Sequence, residues 1–283
     1  MSDWCISEKL KELLPEHPPR RYDPVGTCIY CGSTANLSDE HIIPLGLGGR
    51  MVLPQSSCGL CSEKTSFFEM TCLRTMYGSL RQLYGLPSRR KKKQPQKLPL
   101  KVKYKPTDDW TKILVDQTDY PFLVTFPYFP MPNLITGKQT ASPKGARTNR
   151  LWIRGASAYE GFFDHLQRLT SELQVDSIMP ESEARMEEFC QMLAKVGHSY
   201  AVAELGYGKF KPLLLPHIID KELSNCADFI GSLDRDEAPS KNIHELSMID
   251  NPKNYTIVRM RFLAVLGTPT YYVVVGQKNK ELP

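Results

Sequence analysis

The stretch CIYCGSTANLSDEHIIPLGLGGRMVLPQSSCGLC, residues 28–61, decides the fold of the first part of this chain. It opens and closes with a Cys-x-x-Cys pair, and 26 residues separate the two pairs. Each pair directs two thiolates at one tetrahedral centre, so two pairs complete a four-cysteine zinc site with no open position for water. We therefore expect a structural zinc ion bound by Cys28, Cys31, Cys58 and Cys61.

The segment between the pairs places a carboxylate, Glu40, directly before an imidazole, His41. An apolar stretch bent by a proline follows, and Gly48-Gly49 then predicts the turn of a hairpin. Beyond the second pair, apolar residues recur at helical spacing, which predicts a helix over 62–84 that ends at Gly85.

A cysteine-bracketed hairpin with Glu-His at the end of its first strand, followed by a helix, resembles the HNH endonuclease family in its zinc-stapled variety. The resemblance covers residues 26–84 and rests on CIYC (28–31), DEHIIPLGLGG (39–49), SCGLC (57–61) and SEKTSFFE (62–69). It implies a ββα fold that binds one catalytic divalent cation, Mg²⁺ or Mn²⁺. It also implies that His41 is the general base that activates water, and that Glu40 is a ligand of the catalytic cation.

The chain departs from the family pattern at other positions. The family has an asparagine on the second strand, where this chain has Arg50 or Met51, and Ser62 follows the second cysteine pair in place of another asparagine. Glu69 lies at the start of the apolar helix stripe, where a buried carboxylate needs a partner. We hypothesise that Glu69 joins Glu40 as a ligand of the catalytic cation.

Positive charge is concentrated near the motif. The net charge of the chain is +5, and residues 1–105 hold 17 Lys and Arg against 9 Asp and Glu. This asymmetry favours a polyanionic partner, which we expect to be double-stranded DNA. Sequence-independent phosphate contacts are expected from Arg50 and from the basic run Arg89, Arg90, Lys91, Lys92 and Lys93.

The chain as a whole predicts an α+β fold. Residues 1–25 are expected to form a helix (7–15) and an arm, residues 26–86 the nuclease module, residues 87–108 a basic linker, and residues 109–283 a larger mixed α+β domain. In that domain we expect strands within 109–127, helices within 157–175 and 182–196, a polar loop over 221–254 and a C-terminal hairpin of 255–266 with 270–275.

Composition excludes several classes of protein. No apolar run is long enough to span a membrane, and the N-terminus lacks the features of a signal peptide, so a cytoplasmic protein is expected. Four scattered histidines show no ligand spacing and are expected to serve core or surface roles: His165, His198, His217 and His244.

These features give one leading function and two alternatives. The leading hypothesis is a metal-dependent HNH endonuclease that hydrolyses DNA and acts in bacterial or phage DNA conflict, with the C-terminal domain serving a homodimer or a regulatory partner. One alternative is a zinc-ribbon module that binds nucleic acid or protein without cleavage. The other places an activity without a visible motif in the second half.

Overall fold

The computed structural model describes residues 18–87, 96–138, 150–156, 161–180, 182–222, 224–235 and 237–279. The helix expected over 7–15 and the basic residues 89–93 lie outside this description. The described part combines helices with several small sheets, which confirms the α+β fold class.

The N-terminal module is a small sheet followed by helices. Its strands are β1 (Arg20–Arg21), β2 (Leu37–His41) and β3 (Met51–Cys58), in the order β1-β3-β2. Strands β2 and β3 form the antiparallel hairpin, in which His41 pairs with Val52, and β1 adds a parallel edge. Helix α1 (Gly59–Thr75) follows directly, so the expected ββα arrangement is present.

Two helices replace the single helix expected over 62–84. Helix α1 begins three residues earlier, inside the second Cys-x-x-Cys pair, and α2 spans Gly78–Leu83. The break occurs where the backbone N–H groups of Met76 and Tyr77 both donate to the carbonyl oxygen of Cys72. This shared acceptor closes α1 and lets the chain turn before Gly78.

The middle of the chain forms two small sheets. Its elements are β4 (Lys97–Lys103), β5 (Thr111–Asp116), β6 (Phe122–Tyr128), α3 (Asn133–Thr136), β7 (Arg150–Ala156), α4 (Phe162–Glu172) and β8 (Ser177–Met179). One sheet has the order β5-β4-β8, and β6 pairs with β7. Residues 97–103 were expected to belong to the basic linker of residues 87–108, but they form strand β4. Leu98, Leu100 and Val102 alternate inward and are buried, which makes this segment a strand.

In the C-terminal part, one long helix packs against a five-stranded sheet. The elements are α5 (Met186–Leu205), β9 (Phe210–Pro212), α6 (Leu215–Ile219), α7 (Cys226–Phe229), β10 (Ile230–Ser232), β11 (His244–Ile249), β12 (Tyr255–Phe262) and β13 (Tyr271–Lys278). The sheet order is β10-β13-β12-β11, with β9 added beside β13. The predicted C-terminal hairpin is confirmed as β12–β13. The loop expected over 221–254 instead contains α7, β10 and β11.

Helix α5 lies at the centre of the molecule. Every residue from Phe189 to Val202 is buried, because α1 packs against one side of the helix and β12 and β13 against another. One continuous apolar core therefore includes Phe68 of the N-terminal module and Val273 of the last strand. The domain limits at residues 86 and 109 stay a prediction. None of the described helices is both long and apolar enough to cross a membrane.

Candidate active site

The four cysteines of the two pairs converge at one point. Cys28 and Cys31 lie on the turn before β2, Cys58 ends β3, and Cys61 lies in the first turn of α1. The four sulfur atoms lie within 4.8 Å of one another, and Cys31 Sγ is 3.6 Å from Cys58 Sγ. A tetrahedral zinc site with Zn–S bonds of about 2.3 Å separates its sulfur atoms by about 3.8 Å. The cluster therefore has the geometry to bind a zinc ion.

The local backbone favours a thiolate within this cluster. The backbone N–H of Cys61 points at Cys58 and lowers the pKa of the Cys58 thiol to about 7. Burial raises the pKa of the Cys61 thiol. Four thiols packed together without a cation would disfavour further ionisation, because the charges repel one another. A bound zinc ion removes that penalty and stabilises all four thiolates.

His41 lies at the end of β2 and lines a cleft of about 450 Å³. The opposite wall is α1, which contributes Ser62, Thr65 and Glu69. Glu40 and His41 lie in the same cleft although they are neighbours on a strand, since β2 ends at His41. The structure thus brings together the three residues that were expected to carry the chemistry.

The two carboxylates share one cationic partner, Lys195 of helix α5. Lys195 Nζ lies 2.7 Å from Glu40 Oε1 and 2.7 Å from Glu69 Oε1. It also donates to the carbonyl oxygens of His41 and Ile42. Burial by itself would lower the pKa of Lys195, but the charges of Glu40 and Glu69 outweigh it and hold that pKa above its ordinary value. Lys195 is therefore a buried ammonium ion.

A tyrosine of the cysteine turn completes the surroundings of Glu40. The hydroxyl of Tyr30 donates to Glu40 Oε2 at 3.2 Å. Burial and the nearby charge of Glu40 raise the pKa of Tyr30 well above its usual range, so the phenol keeps its proton. Glu40 thus accepts a hydrogen from Lys195 at Oε1 and from Tyr30 at Oε2. These two contacts fix the orientation of its carboxylate.

Two buried histidines also connect the C-terminal half to the loops of the module. His198 Nε2 lies 2.8 Å from the carbonyl oxygen of Ile29, and His244 Nε2 lies 2.8 Å from that of Leu47. His165 and His217 are also buried. Of the two roles expected for these four histidines, the core role is confirmed.

The comparison with protein families assigns this segment. Residues 28–69 match the family model of the HNH endonucleases. The matched HNH segment begins at Cys28 and ends at Glu69, so it includes the cysteine cluster and both carboxylates. The comparisons with curated proteins and with solved structures give no match.

The position expected for the catalytic cation of the HNH module does not fit a divalent ion. Glu40 and Glu69 do converge, as a pair of metal ligands would, but on the ammonium group of Lys195. A Mg²⁺ or Mn²⁺ ion between the same oxygens would lie against a fully buried positive charge. The divalent ion and the ammonium group of Lys195 would repel each other strongly, because little water lies between them to screen their charges. The residues present therefore do not suit the Mg²⁺ or Mn²⁺ that the resemblance implies.

Other residues of the HNH module near the cleft have structural roles. Asp39 Oδ2 pairs with Arg21, and Asp39 Oδ1 accepts the backbone N–H of Gln55 at a bulge in the hairpin. Gly48 adopts a φ of 82°, as the expected turn requires. Arg50 is exposed at the start of β3 and does not line the cleft, so its expected role as a phosphate contact stays a prediction.

Sequence reasoning missed three residues around the cleft. Arg74 and Arg81 line it from α1 and α2, and Lys195 closes its base. Arg81 is held by the carbonyl oxygens of Gly46, Leu73 and Pro87, whereas the exposed side chain of Arg74 has no polar partner within the described residues. A signal for Lys195 existed, because a charged residue within an apolar helix needs a buried partner.

Proposed function

We propose that this protein is an HNH endonuclease that hydrolyses phosphodiester bonds in double-stranded DNA. The observation that carries the proposal is the shared cleft of His41, Glu40 and Glu69 within the segment that matches the family. HNH nucleases act on nucleic acid, and the cleft has an imidazole where a water molecule can reach it. A zinc ion bound to the four cysteines would fix the position of α1 relative to β2, and these two elements form the walls of the cleft.

In the proposed reaction, His41 removes a proton from water as the water oxygen attacks phosphorus. The bond from phosphorus to the leaving ester oxygen then breaks, and that oxygen takes up a proton from solvent water. Arg74, exposed on the cleft wall, would contact the phosphate as negative charge develops. Lys195 cancels one of the two carboxylate charges, so the base of the cleft repels the phosphate less. Because Lys195 pairs with both carboxylates, the proposed reaction uses neither Mg²⁺ nor Mn²⁺.

The basic run is proposed to extend the DNA contact beyond the cleft. Pro87 lines the cleft, and the run Arg89, Arg90, Lys91, Lys92 and Lys93 follows within six residues along the chain. Six residues span at most about 20 Å. The run is therefore within reach of the phosphates that flank a duplex bound at His41. Contacts of this kind add affinity without reading sequence.

Plasmid nicking tests the proposal. Wild-type protein should convert supercoiled plasmid to the open circular form, and His41→Asn should reduce the rate by at least about 100-fold, the usual contribution of a general base. Arg235→Ala, an exposed arginine outside the cleft, should nick at the wild-type rate. Equal nicking by wild type and His41→Asn would contradict the role of His41.

A second candidate function is favoured by Lys195. An HNH fold whose carboxylates are neutralised by a buried lysine could bind nucleic acid, or another protein, without cleaving it. This reading predicts a gel shift of duplex DNA with zinc bound and no nicking under any condition. Action in bacterial or phage DNA conflict, a homodimer or regulatory partner, and a cytoplasmic location are further proposals that the resemblance motivates.

A further inference from the structure

Lys195 occupies a position surrounded by oxygen atoms of the HNH module. Its ammonium group has Glu40 Oε1 and Glu69 Oε1 at 2.7 Å each, the carbonyl oxygen of Ile42 at 3.3 Å, and the carbonyl oxygen of His41 as a further acceptor. Two carboxylates and two carbonyl oxygens are also the donors that a hard divalent cation selects. The same set of oxygens can therefore serve either a metal ion or the lysine.

The lysine is held firmly in this position. It lies near the middle of α5, and its residue is 0% exposed. The helix is buried for several residues on both sides, from Phe189 to Val202, and packs against α1, which carries Glu69. A metal ion that entered between the carboxylates would have to move the buried ammonium group of Lys195 away from the four oxygen atoms that accept its hydrogens. Such a displacement is costly, because the ammonium would lose its acceptors.

We propose that Lys195 is a resident cation that takes the place of the divalent metal ion in this HNH cleft. The native chain consequently binds neither Mg²⁺ nor Mn²⁺ between Glu40 and Glu69. The inference concerns the same cleft as the proposed nuclease, and one corollary rests on that function: any nicking by this protein proceeds without a divalent cation. The binding claim itself is independent of cleavage.

The lysine also connects the cleft to the C-terminal half. In this arrangement the charge that balances Glu40 and Glu69 comes from α5, more than 120 residues further along the chain. A cation supplied by the fold is present at any concentration of free metal. The residue that distinguishes this cleft from a metal-dependent one is therefore outside the matched segment of residues 28–69.

Manganese binding tests the proposal with the zinc-loaded, full-length protein. Mn²⁺ is a suitable probe because thiolates retain zinc, whereas carboxylates and carbonyl oxygens suit manganese. Electron paramagnetic resonance measures free Mn²⁺ as protein is added. Wild type and Glu69→Gln should bind Mn²⁺ equally weakly, through surface carboxylates alone. Wild-type binding that falls at least about tenfold in Glu69→Gln would overturn the proposal without any change at Lys195.

Removal of the ammonium should create the missing metal site. Lys195→Met keeps an unbranched side chain of similar length and leaves Glu40 and Glu69 facing each other without a cation. This variant should bind Mn²⁺ at least about tenfold more tightly than wild type. The double variant Lys195→Met, Glu69→Gln should lose this gain in affinity. Lys211→Met, an exposed lysine of β9, is the matched control and should bind as wild type does. A folded Lys195→Met protein with no gain in affinity would overturn the proposal.

A cleavage measurement tests the corollary separately. If wild type nicks plasmid, the rate should be unchanged by EDTA at a concentration that leaves the zinc content of the protein intact. Loss of nicking under that condition would contradict a resident cation, whatever the role of His41. Absence of nicking in every buffer would count against the proposed nuclease, while the manganese titrations would still decide whether Lys195 excludes the metal.

Discussion

The Nε2 atom of His198, on helix α5, lies 2.8 Å from the carbonyl oxygen of Ile29, inside the first cysteine turn. Nε2 must donate in this bond, because a carbonyl oxygen only accepts. The other ring nitrogen, Nδ1, is buried and has no hydrogen-bond partner among the described residues. A second proton would therefore enter an apolar environment, and burial lowers the pKa of His198 to about 4.

This contact predicts that stability falls in mild acid. Between pH 6.5, the ordinary pKa of histidine, and about pH 4, the unfolded chain binds a proton that folded His198 does not. The free energy of unfolding should therefore decrease as the pH falls through this window, by on the order of 3 kcal/mol from this residue. Urea denaturation at pH 7.5 and pH 4.5 measures the change. His198→Gln should lower stability at pH 7.5 and show a smaller decrease between the two pH values.

The glycine turn offers a stability test with an internal control. A Cβ atom on Gly49 would lie 2.1 Å from the carbonyl oxygen of Ile43, whereas one on Gly59 would meet nothing within 4 Å. Gly49→Ala should therefore destabilise the protein by about 2 kcal/mol or more, through displacement of the backbone below the cleft. Gly59→Ala should be neutral or stabilising by up to about 1 kcal/mol. Equal melting temperatures for the two variants would contradict this account of the turn.

The cysteine cluster predicts one zinc ion per chain. Elemental analysis of purified protein should give this ratio, and Cys58→Ser should reduce it, because a site with three thiolates binds zinc more weakly. Cys190→Ala, a buried cysteine of α5 outside the cluster, should retain the full zinc content. A strong chelator should lower the melting temperature of wild type, since zinc binding contributes directly to the folding of small modules.

The buried charges around Lys195 predict strong coupling in stability. Lys195→Met leaves the buried carboxylate of Glu40 and the half-buried carboxylate of Glu69 without their cation, which should cost about 3–5 kcal/mol. The triple variant Lys195→Met, Glu40→Gln and Glu69→Gln removes every charge and should recover most of that loss. Chemical denaturation of wild type, Lys195→Met and the triple variant measures the loss and its recovery. A triple variant less stable than Lys195→Met would show that the three residues do not act as one charge network.

Arg74 predicts a specific change in the affinity for DNA. If its exposed guanidinium contacts one phosphate, Arg74→Ala should weaken duplex binding uniformly across sequences. It should also reduce the dependence of log K on log salt concentration by about one unit. Arg235→Ala should leave both quantities unchanged. Fluorescence anisotropy over a range of salt concentrations measures both, and an unchanged slope in Arg74→Ala would remove Arg74 from the interface.

The sequence predicted the features that depend on local spacing. Two Cys-x-x-Cys turns, the Glu-His pair and the helical stripe through Leu73 were visible because neighbours along the chain determine them. The place of Glu69 beside Glu40 was also predictable, since a carboxylate on a buried helix face needs a partner nearby.

The sequence could not predict that Lys195 is the partner of Glu40 and Glu69. Lys195 reaches the cleft because α5 packs against α1, and a contact between residues 126 positions apart leaves no periodic signal in the sequence. The strand at 97–103 was missed for a related reason. Leu98, Leu100 and Val102 alternate there with three lysines and Pro99, and the dense positive charge concealed an alternating apolar pattern.

The shared core has a practical consequence for protein engineering. Helix α5 shares its core with the cysteine hairpin and α1. It also supplies Lys195, the cation between Glu40 and Glu69. A fragment cut at Pro87 would expose to water the face of α1 that packs against α5 and leave Glu40 without its counter-charge. The N-terminal module therefore depends on the C-terminal half for its packing. Transfer of the module into another scaffold would also require α5, or an equivalent helix, although residues 88–185 separate it from the module in sequence.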